Sequence, residues 1–374
     1  MNEQGPWISP GSWPDGGRRR GYDPGWRGLE SSESRGGDGF RGGPTRPGGR
    51  AIAAAAALLL VLISIGVAVY VIRGRTAAWP PPNWIFAACD VGQGDALALA
   101  VGPAEAVVVD TGPDPAKADH CLTLLGIHKV PLVVLTHFHA DHIDGVPGVL
   151  KGRTITEIET TNDPDQPKGA AEVASWATAA GIATSVATAG EHRQFGPVSW
   201  DVLWPDPNAS PPAPPPESVR KSRRKGRRQA RGSPRGGGRG GGRGGGGEEG
   251  SAPNNSSVVL QVTVATRDGP VRLLLTGDIE PPSQATILAA HPDLAADVLK
   301  VPHHGSRFQD QDFFRAVRPR VSIVSVGAGN TYGHPARDTL ALAGSDGAHV
   351  FRTDRDGQIV VFGSARTLRV ALRR

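Results

Sequence analysis

The stretch Thr136-His-Phe-His-Ala-Asp-His142 (THFHADH) follows directly on the apolar run PLVVL at 131–135. A short Val/Leu run bounded by polar residues reads as a buried strand. Residues two apart on an extended segment project to one side, so His137 and His139 can grip one metal ion. Asp141 and His142 follow where the chain turns, and can face a second. Imidazole and carboxylate are ligand types that borderline and harder divalent ions accept, and a strand end facing solvent leaves room for water. Four ligand-type residues between 137 and 142 point to a metal centre rather than to a polar loop.

Strand-like and helix-like segments alternate on both sides of this stretch. WIFAAC, DALALAV and EAVVVD, from Trp84 onward, read as three strands, followed by a helix at 115–126 and strands at 131–136 and 155–160. A helix at 168–180 and strands near 183–187 and 198–204 complete the first half. The second half has strands at 257–265, 271–276, 297–301 and 321–326, helices at 281–291, 309–317 and 335–344, and short strands to the carboxyl end. Two such halves predict an α/β fold in which two sheets pack together with helices outside.

The chain has 374 residues, among them Gly 51 and Pro 33, and that excess is concentrated in 1–50 and 206–253. Residues 1–50 lack periodicity and aliphatic runs, and read as a disordered arm. Ala51–Ile72 carries no charge and is flanked by Arg50 and Arg73, so 51–73 reads as one transmembrane helix. Fifty residues before the run argue against a signal peptide. The Lys/Arg bias places the amino terminus inside and the large domain, 84–374, outside the membrane. In that compartment Cys89 and Cys121 can pair, although their spacing does not show it, and a lone Cys is more often a small buried hydrophobe. Two cysteines exclude a disulfide scaffold.

Net charge is +5, but 217–249 holds eleven Lys/Arg against three Glu, so the remainder is slightly acidic. The globular part therefore carries no basic signature of its own. The insert 206–253 runs from PPAPPP through VRKSRRKGRRQARG into Arg-Gly-Gly repeats. It can hold a nucleic-acid backbone by salt-dependent attraction or serve as a solvated loop. The absence of interleaved aromatics favours the loop.

HxHxDH stands with DVGQGDA (90–96), VVVDTG (107–112), LLLTGDIE (273–280), LKVPHHGS (299–306) and YGHP (332–335), in that order. In this the chain resembles the carboxyl-terminal, metallo-β-lactamase-fold domain of ComEC-type DNA-uptake proteins, over about 84–370 without the insert. The resemblance implies an αββα sandwich with one or two divalent ions, Zn or Mn, along one edge. It implies a nuclease in which a metal-activated water attacks a phosphodiester of DNA, a single strand, alongside other DNA-uptake components. Members carry a multi-helix channel domain ahead of this one, whereas this sequence offers a single candidate span.

The candidate metal ligands are His137, His139, Asp141 and His142 from their spacing, Asp278, which the resemblance places to bridge two ions, and His303 after the strand ADVLKV. His304, His334 and Asp141 are the candidates for acid–base work on the reacting groups. Which of His303, His304 and His334 binds metal stays open, with His303 preferred. Asp90 and Asp95 lie at a glycine-permitted hairpin on the presumed rim, and Asp110 is expected to buttress the histidine loop by hydrogen bonding.

Many hydrolases of this fold have a further histidine between the HxHxDH loop and the bridging Asp. The one candidate here, His192 in EHRQF, reads as a surface residue in a charged turn, and NNSSVVL (254–260) fits the Asn/Ser that ComEC-type domains carry instead. Asp144 stands where a glycine is usual and reads as a turn residue. Two alternatives remain: a hydrolase of a small ester, thioester or lactone, and a non-catalytic metal-binding scaffold.

Overall fold

The computed structural model describes residues 59–65, 78–162, 166–208 and 251–374. Residues 59–65 are helical with exposed side chains and belong to a separate unit. The expected arm 1–50, most of the expected span 51–73 and residues 209–250 of the insert lie outside the described residues. Among the described residues no helix is long and apolar enough to cross a membrane.

The unit Trp79–Arg374 is built on two sheets. The first contains β1 (Trp84–Ala88), β2 (Ala96–Gly102), β3 (Glu105–Thr111), β4 (Lys129–Leu135), β5 (Thr154–Thr160) and β6 (Ala183–Val186). β14 (Gln358–Phe362) and β15 (Arg369–Arg373) complete it, in the order β15-β14-β1-β2-β3-β4-β5-β6. The second contains β7 (His192–Phe195), β8 (Val198–Trp204), β9 (Val259–Thr266), β10 (Gly269–Leu275), β11 (Val298–Lys300), β12 (Val321–Val324) and β13 (His349–Arg352). Its order is β13-β12-β11-β10-β9-β8-β7. The two expected halves are therefore not closed units, because the carboxyl-terminal β14 crosses back and pairs antiparallel with β1.

Alternation along the strands creates the layers. In β3, Val107 and Val109 enter the core shared by the two sheets, while Ala106 and Val108 face helix α1 (Pro115–Leu124). In β10, Val271, Leu273 and Leu275 point to the shared core, and Leu274 to the opposite face. That face is covered by α6 (Pro281–Ala290), α7 (Gln311–Val317) and α8 (Arg337–Ala343). The first sheet is covered by α1 and α4 (Pro167–Ala180). Uninterrupted Val/Leu runs in β4 and β10 make sense because both of their faces are buried. The result is four layers, αββα.

EHRQF is an edge strand rather than a turn. Phe195 stacks on buried Trp200 at 5.7 Å, and Arg193 donates to Glu157 and to buried Glu159 of β5. That ion-pair group bridges the two sheets. Cys89 and Cys121 form a disulfide, with Cα atoms 5.8 Å apart, tying the end of β1 to α1.

Candidate metal centre

The site lies where several strand ends meet. β4 ends in the histidine loop, which continues into the one-turn helices α2 (Ala140–Ile143) and α3 (Val146–Leu150). The DVGQGD hairpin packs against this loop, with Asp95 N donating to Asp141 O. A Cβ on Gly94, at φ +134°, would stand 2.1 Å from that same carbonyl, so only glycine fits there. From the second sheet come Thr-Gly-Asp at 276–278 after β10 and the turn 302–305 after β11. The short helix α5 (Ser251–Asn255) leads into β9.

Asp110 is buried and in the left-handed region, at φ 57°. It accepts from Thr136 N at 2.7 Å and from Thr136 Oγ1 at 2.8 Å, and its Oδ2 stands 2.8 Å from His142 Nδ1. With Nδ1 so engaged, His142 presents Nε2 to the centre. His303 and His304 are consecutive residues in the left-handed region, at φ 49° and 50°. Non-glycine residues adopt that conformation at a cost of roughly 1–3 kcal/mol each, and such strain gathers at functional sites. It sends the two side chains in different directions.

Asp141, His142, Asp278 and His304 converge. Asp278 Oδ2 lies 3.3 Å from His142 Nε2 and 3.1 Å from His304 Nε2, and Asp141 Oδ2 lies 3.2 Å from His304 Nε2. Despite these short distances both Nε2 atoms are buried without a hydrogen bond. The four side chains gather their donor atoms about a shared point. Ligands of one tetrahedral ion with bonds of about 2.1 Å stand roughly 3.4 Å apart. The donor set, two imidazoles and two carboxylates, therefore fits a divalent cation.

Charge leads to the same conclusion. Asp95, Asp110 and Asp278 are buried together, and among the described residues Lys300 is the one buried Lys or Arg. Lys300 Nζ contacts Asp95 Oδ2, donates to Gly277 O at 2.9 Å and lies 3.4 Å from Asp278 Oδ1. A single lysine leaves negative charge uncompensated, which a buried site does not tolerate. Protons make up the balance here. Burial would depress His142, but Asp278, Asp110 and Asp141 hold it well above the usual histidine range. His304 is likewise raised, Asp278 and Asp95 outweighing its burial. The same contacts overcome the burial of Asp278 and hold it well below the usual carboxylate range.

His137 and His139 stand beside this group as a pair, with Nε2 and Nδ1 2.9 Å apart. Burial and the neighbouring His142 push His137 well below the usual histidine range. Ser257 Oγ lies 3.3 Å from His137 Nδ1 and accepts from Asp278 N. NNSSVVL thus packs against the Nδ1 side of His137, while His137 Nε2 faces His139. His192 is exposed, with Nδ1 2.8 Å from Asp201 Oδ1.

Several candidates fall elsewhere. His303, the preferred ligand among the later histidines, turns away from the four-residue group. Its Nε2 is 3.9 Å from Asp278 and 3.5 Å from Asn254 Nδ2, and its Nδ1 is 3.5 Å from Glu280. His334 is half-buried, its ring 5.3 Å from His303 and 6.5 Å from His304. Asp90 is exposed and outside the site, its Oδ1 accepting from Gly92 N within the hairpin. Asp95 is at the centre, 3.4 Å from His304 Nδ1. Asp144 closes α2, its backbone N–H donating to Ala140 O. Lys300 escapes sequence reading, since one lysine in a strand ordinarily marks a solvent edge. Its place between two apolar residues in LKV was the available signal.

A family model described as the metallo-beta-lactamase superfamily matches residues 89–327. ComE operon protein 3 of Bacillus subtilis (strain 168) is 27% identical over 240 residues, 64% of this chain and 25% of that protein. An uncharacterized protein, YcaI, of Escherichia coli (strain K12) is 31% identical over 120 residues, 32% of this chain and 15% of that protein. The chain thus spans a quarter or less of the length of these relatives. Among solved structures, the metallo-beta-lactamase fold protein YhfI from Bacillus subtilis is similar at 10% identity and a TM-score of 0.40. That match covers 71% of this chain and 95% of YhfI.

Proposed function

Because the chain belongs to the metallo-β-lactamase superfamily, whose fold implies a metal-dependent hydrolase, we propose that it is a divalent-metal phosphodiesterase acting on DNA in uptake. The observation that carries the proposal is the convergence of Asp141, His142, Asp278 and His304, with two buried imidazole Nε2 atoms aimed inward. The choice of DNA rests on the resemblance to ComEC-type domains carried by the motifs from DVGQGDA to YGHP.

Asp141, His142, Asp278 and His304 would hold the ion, Zn or Mn, and His137 and His139 would offer a second position beside it. When bound, the ion supplies Lewis acidity to a phosphoryl oxygen and acidifies water. The protein's own groups do the remainder. Asp110 fixes the His142 tautomer, Asp95 and Lys300 hold His304 and Asp278 in place, and His334 at the half-buried edge donates a proton to the leaving oxygen. The chain is anchored through 51–73, with the catalytic domain outside the membrane.

The test is cleavage of single- and double-stranded DNA by the full-length chain with added Mn²⁺ or Zn²⁺, with EDTA, and in His142→Ala and Asp278→Ala variants. Cleavage that needs metal and disappears in both variants is expected. An intact, metal-loaded protein that leaves DNA whole but hydrolyses a small ester or lactone overturns the proposal.

A further inference from the structure

Among the described residues two Phe, Trp or Tyr side chains are exposed: Phe308, at 52%, and Tyr332, at 57%. They are not scattered. Phe308 follows the turn that carries His303 and His304, and Tyr332 precedes His334 by two residues. These two loops are pinned to each other. Ala336 N donates to Gly305 O at 2.8 Å, Thr339 Oγ1 donates to Ser306 O at 2.6 Å, and a Cβ on Gly305 would stand 2.6 Å from Pro335 Cβ.

A path of rings joins the surface to the metal cluster. Tyr332 stacks on His334, centroids 5.9 Å apart and planes 28° apart. His334 is in turn 6.5 Å from His304, whose Nε2 faces Asp278. In the other loop the Arg307 guanidinium lies 4.7 Å over the Phe308 ring, a cation held against an exposed π-face.

Exposed flat rings gain little from a small acyl ester, whose binding needs enclosure. They gain from a ligand that offers flat faces of its own. Nucleobases do so when unpaired, since in a duplex their faces are already covered by neighbouring pairs. We infer that Phe308 with Arg307, and Tyr332 with His334, form a stacking subsite for unpaired nucleobases next to the phosphate held at the metal cluster. The inference rests on the phosphodiesterase reading for the phosphate, but its test reads binding alone.

Binding of a labelled single strand of about twelve nucleotides to the full-length chain is compared with binding of an abasic strand of equal length, in EDTA. Salt near ~0.3 M suppresses the phosphate attraction of 217–249, which is the same for both strands. The base-bearing strand is expected to bind about 5-fold to 100-fold more tightly than the abasic one. Tyr332→Ala and Phe308→Ala each narrow that ratio, while Tyr332→Phe keeps it. Equal binding of the two strands, or a ratio unmoved by both alanine variants, overturns the subsite. Hydrolysis of bis(p-nitrophenyl) phosphate with Mn²⁺ by the wild-type chain reports separately on the chemistry. Its absence in the wild type removes the phosphodiesterase reading, while the strand comparison still decides the subsite.

Discussion

Removing Lys300 takes the buried ammonium away from Asp95 and Asp278 and leaves the His304 ring as the group that faces both carboxylates. Breaking a buried pair in this way costs about 3–5 kcal/mol. Lys300→Ala is therefore expected to lower stability by that order in EDTA, and by less with saturating Mn²⁺, which replaces part of the lost charge. Urea melts under both conditions measure the difference. Asp110 acts through His142 rather than on substrate. Asp110→Asn is expected to weaken metal affinity by roughly 10- to 100-fold while the fold persists, as read by competition with a chromogenic chelator. Protons and metal compete at His142 and His304, both raised above the ordinary value. In EDTA their imidazolium–carboxylate contacts stabilise fully below about pH 6.5 and are lost as pH rises through the raised values. Metal binding requires the neutral rings, so loading near pH 7 is expected to release about two protons, and affinity to fall as the medium is acidified. Calorimetry in buffers of different ionisation enthalpy counts those protons.

At the scale of elements, the approach of the DVGQGD hairpin to the histidine loop is controlled by Gly94. Gly94→Ala both forces φ +134° on an alanine and drives its Cβ into Asp141 O. The expected loss is roughly 1–3 kcal/mol, with weakened metal binding because Asp141 moves. A circular-dichroism melt and a metal titration of the same variant report the two effects. The disulfide clips β1 to α1 across 32 residues. Opening it by Cys89→Ser with Cys121→Ser is expected to cost roughly 3–4 kcal/mol through loop entropy, measured by denaturant unfolding. Most elements were legible in the amino-acid order, because both faces of β4 and β10 are buried and their runs are uninterrupted. β7 was not. Its residues alternate between solvent and partial burial, and Arg193 belongs there only because Glu157 and Glu159 arrive from the other sheet.

At the scale of the molecule, the site draws on both sheets, so the ion is expected to couple to global stability. Adding Mn²⁺ after EDTA should raise the melting temperature of the whole unit in one transition, with an increment that grows logarithmically with free metal. A low-temperature transition of its own would place the centre in an independently unfolding part. The sequence by itself determined the order of strands and helices, the run of ligand-type residues at 137–142, and Asp278 after β10, because period-two burial and ligand spacing are local properties. Only the tertiary structure decided that His304 rather than His303 enters the four-residue group, since two successive left-handed residues set their directions. It also decided that Lys300 is the buried counter-ion and that Cys89 meets Cys121. The segments carrying Phe308 and Tyr332 are pinned to each other for the same reason. Each of these depends on segments far apart in the chain arriving at one place, which spacing along the chain does not encode.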